Sequence, residues 1–141
     1  MAVTNSVPGV KVGYRAEFSR TVTADDIQKF AEVSGDTNPL HCDPEYARRT
    51  RFGECIVHGM LGAGFISAAV GALASHACAV YLTQTLRFLR PINVGDTIRA
   101  VAEVKSIDAE TRTATLNTVC YNQHNEPVVT GSALVLLEPL K

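Results

Sequence analysis

Residues 59–74 read GMLGAGFISAAVGALA, sixteen residues without a charge and dominated by glycine and alanine. The run falls short of the roughly 20 apolar residues that span a bilayer, so it predicts a buried central helix rather than a membrane segment. Small residues such as Gly59, Gly62, Ala63 and Gly64 let other backbone come near, and each helical glycine costs about 1 kcal/mol that only tight packing offsets. Something is expected to wrap this helix closely. Downstream, residues 80–90, 97–107, 112–123 and 128–137 have the alternation or the β-branched composition of strands. The stretches 91–96, 108–111 and 124–127 hold the turn formers that join neighbouring antiparallel strands, so one sheet of four consecutive strands is predicted.

Upstream, residues 14–22 alternate Tyr14, Ala16, Phe18 and Val22 against Arg15, Glu17, Ser19 and Thr21, a half-buried strand with Arg20 out of place on the apolar side. Thr23 with Asp26 three residues on is a capping box, Ile27, Phe30 and Ala31 share one helical face, and Gly35 supplies the stop. Asp43 then Pro44 opens a second helix through Glu45, Tyr46 and Ala47. Residues 1–12 are expected as a flexible start. The 141 residues, 46% hydrophobic, suit one globular domain of α+β class with no repeat or low-complexity segment.

The formal charge of -1, from 13 basic and 14 acidic residues, gives no field that favours nucleic acid or an anionic membrane. The N-terminus has neither a basic start with an apolar core nor an arginine-rich amphipathic pattern, so the cytosol is the expected location, or an organelle where a presequence has been removed. Cys42, Cys55, Cys78 and Cys120 are widely spaced, with no Cys-x-x-Cys pair, and are read as reduced thiols. His41, Cys42, Cys55 and His58 are metal-ligating types, but their spacing matches no common zinc signature, so no metal is expected.

The chemistry concentrates in residues 35–41, Gly-Asp-Thr-Asn-Pro-Leu-His, just past the first helix. Asp36 can accept a proton, the His41 imidazole can accept or donate one, and Asn38 can orient a water or a carbonyl. Pro39 stiffens the loop and biases Asn38 toward extended backbone. The same residue types are common turn formers, and closing a helix is the plainer account of them. A second segment, Ile56-Val57-His58-Gly59-Met60, adds weight because first-turn N–H groups of a helix lack internal partners and carry partial positive charge. A side-chain-free Gly59 lets a substrate carbonyl approach them. His58 beside it suits substrate contact, though a histidine at a helix start more often bonds locally and orders the turn.

The segments GDTNPLHCDPEYA and FGECIVHGM resemble those of the MaoC-like (R)-specific enoyl-CoA hydratases, and the likeness runs from about Gly9 to Leu137. The resemblance implies the hot-dog fold, a curved antiparallel sheet around a central helix. It also implies a homodimer acting on an acyl-CoA thioester, adding water syn and reversibly to trans-2-enoyl-CoA to give (R)-3-hydroxyacyl-CoA. No cofactor is implied beyond the coenzyme A of the substrate. The family's catalytic residues fall on Asp36, His41, Asn38 and Gly59, with the water held by Asp36 and His41. A family serine falls on Ser67, which eight residues of helix set about 12 Å from Gly59, toward the acyl side or simply against a neighbouring element. Among Arg48, Arg49, Arg51, Arg87 and Arg90, Arg87 is taken as the candidate contact for the phosphates of coenzyme A.

The nearest alternative is a 3-hydroxyacyl-[acyl-carrier-protein] dehydratase, with the same proton chemistry on a protein-borne arm. A thioesterase ranks lower, because many on this fold carry a carboxylate on or beside the central helix and residues 59–74 have none. A non-catalytic acyl-CoA-binding protein is the reading outside enzymes. Polyester-precursor supply and fatty-acid oxidation demand the same local chemistry, so the pathway stays open.

Overall fold

The computed structural model describes residues 6–7, 9–75 and 77–141. Its elements run β1 (Ser6–Val7), β2 (Val10–Lys11), β3 (Arg15–Thr21), α1 (Ala24–Ser34), α2 (Pro39–Cys42), α3 (Pro44–Arg48), α4 (Gly59–Gly71), a 3-10 turn (Ala72–Ser75), β4 (Cys78–Gln84), β5 (Arg87–Phe88), β6 (Thr97–Asp108), β7 (Thr113–Tyr121) and β8 (Pro127–Glu138). The main sheet is antiparallel in the order β3-β6-β7-β8-β4, with β5 also on β8. It curves around α4, the hot-dog architecture that the sequence resemblance implies.

Alternation of buried and less buried positions builds most of the inner face. Ile98, Ala100, Ala102 and Val104 of β6 are buried, as are Ala114, Leu116, Thr118 and Cys120 of β7, and Ala133, Val135 and Leu137 of β8. Against them lie Phe65, Ile66, Ala69 and Val70 of α4, forming one continuous core. Removing most of the Ile66 or Leu116 side chain would cost about 2–5 kcal/mol, the usual range for such cavities. Burial pushes the Cys120 thiol up to about 12, and its Sγ donates to the Gly62 carbonyl at 3.5 Å.

Four expectations change. First, α4 is not buried all round: Met60, Gly64, Ser67, Ala68 and Gly71 are exposed on one side of the single chain. Its glycines also do not admit backbone. A Cβ on Gly62 would meet side chains of Ile92 and Val129, and one on Gly64 or Gly71 would meet nothing. Second, the strand expected at 80–90 breaks into β4 and β5 around Thr85, whose carbonyl lies so close to Gly131 that any side chain there would overlap it. Third, β4 pairs with β8 rather than with its sequence neighbour β6, so residues 91–96 form a crossover and not a hairpin. Fourth, of the start expected to be flexible, residues 1–5 and 8 lie outside the described residues, whereas Val10 sits in the core with no exposed surface and Ser6–Val7 pairs with Val10–Lys11.

The predicted cap of α1 is present in full. The Thr23 hydroxyl accepts from Asp26 N–H at 3.1 Å, the Asp26 carboxylate accepts from Thr23 N–H at 3.0 Å, and Gly35 closes the helix in the left-handed region. Arg20 explains its misplaced position on β3. Its Nε and Nη2 donate to the two carboxylate oxygens of Asp26 at 3.0 and 2.6 Å, tying α1 to the sheet. This Arg20 hydrogen bond, reinforced by the Thr23 N–H and outweighing the cost of burial, holds the Asp26 carboxyl down at about 2. A depressed folded value means a contribution complete above the ordinary carboxylate value of 3.8 and lost as pH falls toward 2. With Arg20 half exposed, that contribution is about 1–2 kcal/mol. Asp26→Asn should be less stable to urea at neutral pH, and its difference from the native protein should shrink across that acid window. A difference independent of pH would refute the ion pair.

Candidate active site

Residues 35–41 leave α1 and turn into α2, a short helix where the sequence predicts a loop. Asn38 is its N-cap, with Oδ1 accepting from Leu40 N–H at 3.0 Å, and Pro39 stands at the first helical position. Asp36 Oδ1 accepts from Asn38 N–H at 3.2 Å. The loop's polar groups therefore build the loop and also aim its side chains. Asn38 is the exception to the expected convergence: its oxygen is engaged in capping and the residue lies outside the cavity wall.

That cavity, about 380 Å³, is lined by Asp36, His41, His58, Gly59 and Met60 together with Phe88, Arg90, Ile92 and Val129, with Arg51 and Phe52 also in its wall. Asp36, His41 and His58 each bring a ligating atom within 4.8 Å of the others. The His41 ring is held by its Nδ1, 2.8 Å from the Ile56 carbonyl. A carbonyl only accepts, so Nδ1 carries a proton, and in the neutral ring the lone pair is on Nε2. The 56–57 segment is itself pinned, since Val57 N–H donates to Ile92 O at 2.8 Å and Ile56 bridges Asn93. The metal-ligating set weighed from the sequence does not assemble, because Cys42 and Cys55 stand outside the Asp36, His41 and His58 group.

Gly59 begins α4, and its N–H has no acceptor among the described residues. The need for glycine there has a second cause. A methyl group at this position would come within 2.8 Å of the Phe88 ring. Phe88 is the wall residue that sequence reasoning missed, since nothing local distinguishes it from any other strand aromatic. His58 does not order the turn as expected: it is buried, makes no cap hydrogen bond, and places Nε2 3.0 Å from the Asp36 carbonyl. Ser67 and Arg87 lie elsewhere. Ser67 opens onto a separate groove beside Tyr81 and Leu82, on the exposed side of α4. Arg87 is exposed on β5 and absent from the cavity wall, which takes the next residue, Phe88, as strand alternation requires.

A carboxylate, an imidazole with a free lone pair and an open helix N-terminus around one cavity can take a proton from water and stabilise negative charge on a nearby oxygen. The model of the MaoC-like domain matches residues 6–126. The chain belongs to the MaoC-like domain family. Within it, the chain is 38% identical over 128 residues to the (R)-specific enoyl-CoA hydratase of Rhodospirillum rubrum, covering 91% of this chain and 88% of the relative. It is 37% identical to a mitochondrial 3-hydroxyacyl-[acyl-carrier-protein] dehydratase of Arabidopsis thaliana, covering 93% of this chain and 80% of the relative. Among solved structures, the (R)-hydratase of A. caviae involved in PHA biosynthesis superposes with a TM-score of 0.85 at 39% identity, covering 92% of this chain and 98% of that one. The MaoC-like relatives are hydratases and dehydratases, that is, hydro-lyases.

Proposed function

We propose that this protein is an (R)-specific enoyl-CoA hydratase, adding water reversibly and syn across trans-2-enoyl-CoA to give (R)-3-hydroxyacyl-CoA. The observation that carries the proposal is the shared cavity wall of Asp36, His41 and the N-terminus of α4. One water lies between the Asp36 carboxylate and His41 Nε2, which together take a proton as its oxygen bonds to Cβ. The thioester oxygen gathers the resulting enolate charge opposite the Gly59 N–H, and a proton delivered to Cα completes the addition. The chemistry needs neither metal nor organic cofactor, since one C–O bond forms at Cβ with two proton transfers and a charge stabilised by a fixed dipole. Asn38 supports it by holding the loop.

Coenzyme A is favoured over a carrier-borne arm by Arg51. Its guanidinium lies 4.6 Å over the Phe52 ring in the cavity wall and has no acidic partner among the described residues. Arg90, the other arginine of the wall, is occupied by the Pro127 carbonyl and by Glu126. A free, stacked guanidinium suits a phosphate-rich ligand. A homodimer is proposed from the outer face: beyond β8, β4 has no partner strand among the described residues, and Met60, Val80 and Leu82 stand exposed near or along it. No helix among the described residues is long and apolar enough to cross a membrane, and action in the cytosol is part of the same proposal.

Initial rates on crotonyl-CoA and on crotonyl acyl carrier protein test the substrate, with the solution mass of the same sample measured by sedimentation. Faster turnover of the CoA thioester and a mass of two chains are expected. Strong preference for the carrier-linked form would reassign the substrate, and the mass of one chain would remove the dimer.

A further inference from the structure

His58 occupies the N-cap of α4, where a side chain normally accepts from the open N–H groups of the first turn. It does not do so. Its ring is 1% exposed and reaches back across 22 residues to the Asp36 carbonyl. The acceptor there assigns the proton to Nε2, and Nδ1 is buried without a partner. The ring packs against His41, with centroids 4.2 Å apart, and against Phe30 of α1 at 4.8 Å. One residue thus leaves the Gly59 N–H uncapped, anchors the backbone from which the Asp36 carboxylate emerges, and backs the His41 imidazole.

We propose that His58 is a positioning residue of the active site: by donating Nε2–H to the Asp36 carbonyl it fixes the distance between the Asp36 carboxylate and His41. The proposal rests on the hydratase reading for its kinetic consequence. It does not depend on that reading for its structural one. A donor at the reach of Nε2 is what the role requires, so glutamine should serve, whereas phenylalanine keeps the ring packing without a donor and asparagine is too short to reach.

The test measures kcat and KM on crotonyl-CoA for His58→Gln, His58→Phe and His58→Asn, with thermal unfolding as the control for folding. His58→Phe and His58→Asn should lower kcat by about 10- to 100-fold, the scale of a small misplacement of catalytic groups, with KM within about twofold. His58→Gln should recover most of kcat. If His58→Phe does not fold, the glutamine and asparagine variants alone read the same contrast. Equal losses in both, or a loss confined to KM, would overturn the positioning role. Absence of hydration by the native protein would instead overturn the hydratase reading. In that case amide exchange of residues 36–38 still decides the positioning: acceleration in His58→Asn but not in His58→Gln supports it, and no change in either refutes it.

Discussion

Asp36→Asn and His41→Gln should each lower kcat for crotonyl-CoA hydration by about 10²- to 10⁴-fold, the range for removing a general acid or base, with little change in folding. Asparagine keeps an oxygen for the Asn38 N–H that the Asp36 carboxylate now accepts, so the loop retains its shape while losing the charge. His41 is half-buried, and glutamine keeps a polar amide near the Ile56 carbonyl that Nδ1 now holds, one bond farther along the side chain than that nitrogen. The loss should therefore be chemical rather than structural. Because the two groups hold the same water, the double variant should be scarcely slower than the worse single one, as expected for residues that act as a unit. Decay of the conjugated enoyl absorbance gives the rates and circular dichroism the folding. Near-native turnover in either single variant, or a double loss equal to the product of the two, would separate the residues and end the shared-water mechanism.

The parts of the fold that sequence made legible are those governed by neighbours in the chain. Thr23, Asp26 and Gly35 mark both ends of α1, and the alternation in β6, β7 and β8 shows which side of each strand faces the core. What was not legible depends on contacts between distant segments. The split between β4 and β5 falls where Thr85 passes against Gly131, more than forty residues away, and Phe88 just past it lines the cavity. The helix at 39–42 carries a local signal, Asn38 followed by Pro39, but the same residue types also form turns, so the signal alone does not separate helix from loop. The same division runs through the site. The types and order of Asp36, His41 and Gly59 suggested proton transfer and an oxyanion site, whereas the tautomer of His41, the role of His58 and the side-chain oxygen of Asn38 depend on hydrogen bonds that only the folded chain supplies.

Gly59→Ala should cost about 10²-fold in kcat, near the low end of what loss of an oxyanion donor costs in other sites, even though alanine keeps its N–H. Two causes compete. The added methyl can obstruct the approach of the thioester oxygen to the amide, or it can act only by displacing Phe88, whose ring would lie 2.8 Å away. The ring is half exposed on the two-residue strand β5, so it can move and the fold should survive the substitution. Combining Gly59→Ala with Phe88→Ala separates the causes, since the pair removes the clash and leaves the methyl over the amide. An oxyanion role predicts that the double variant stays slow while Phe88→Ala alone turns over within about tenfold of native. Full recovery in the double variant would mean that glycine is required at this position only to seat an aromatic ring, and the developing negative charge would then need another donor.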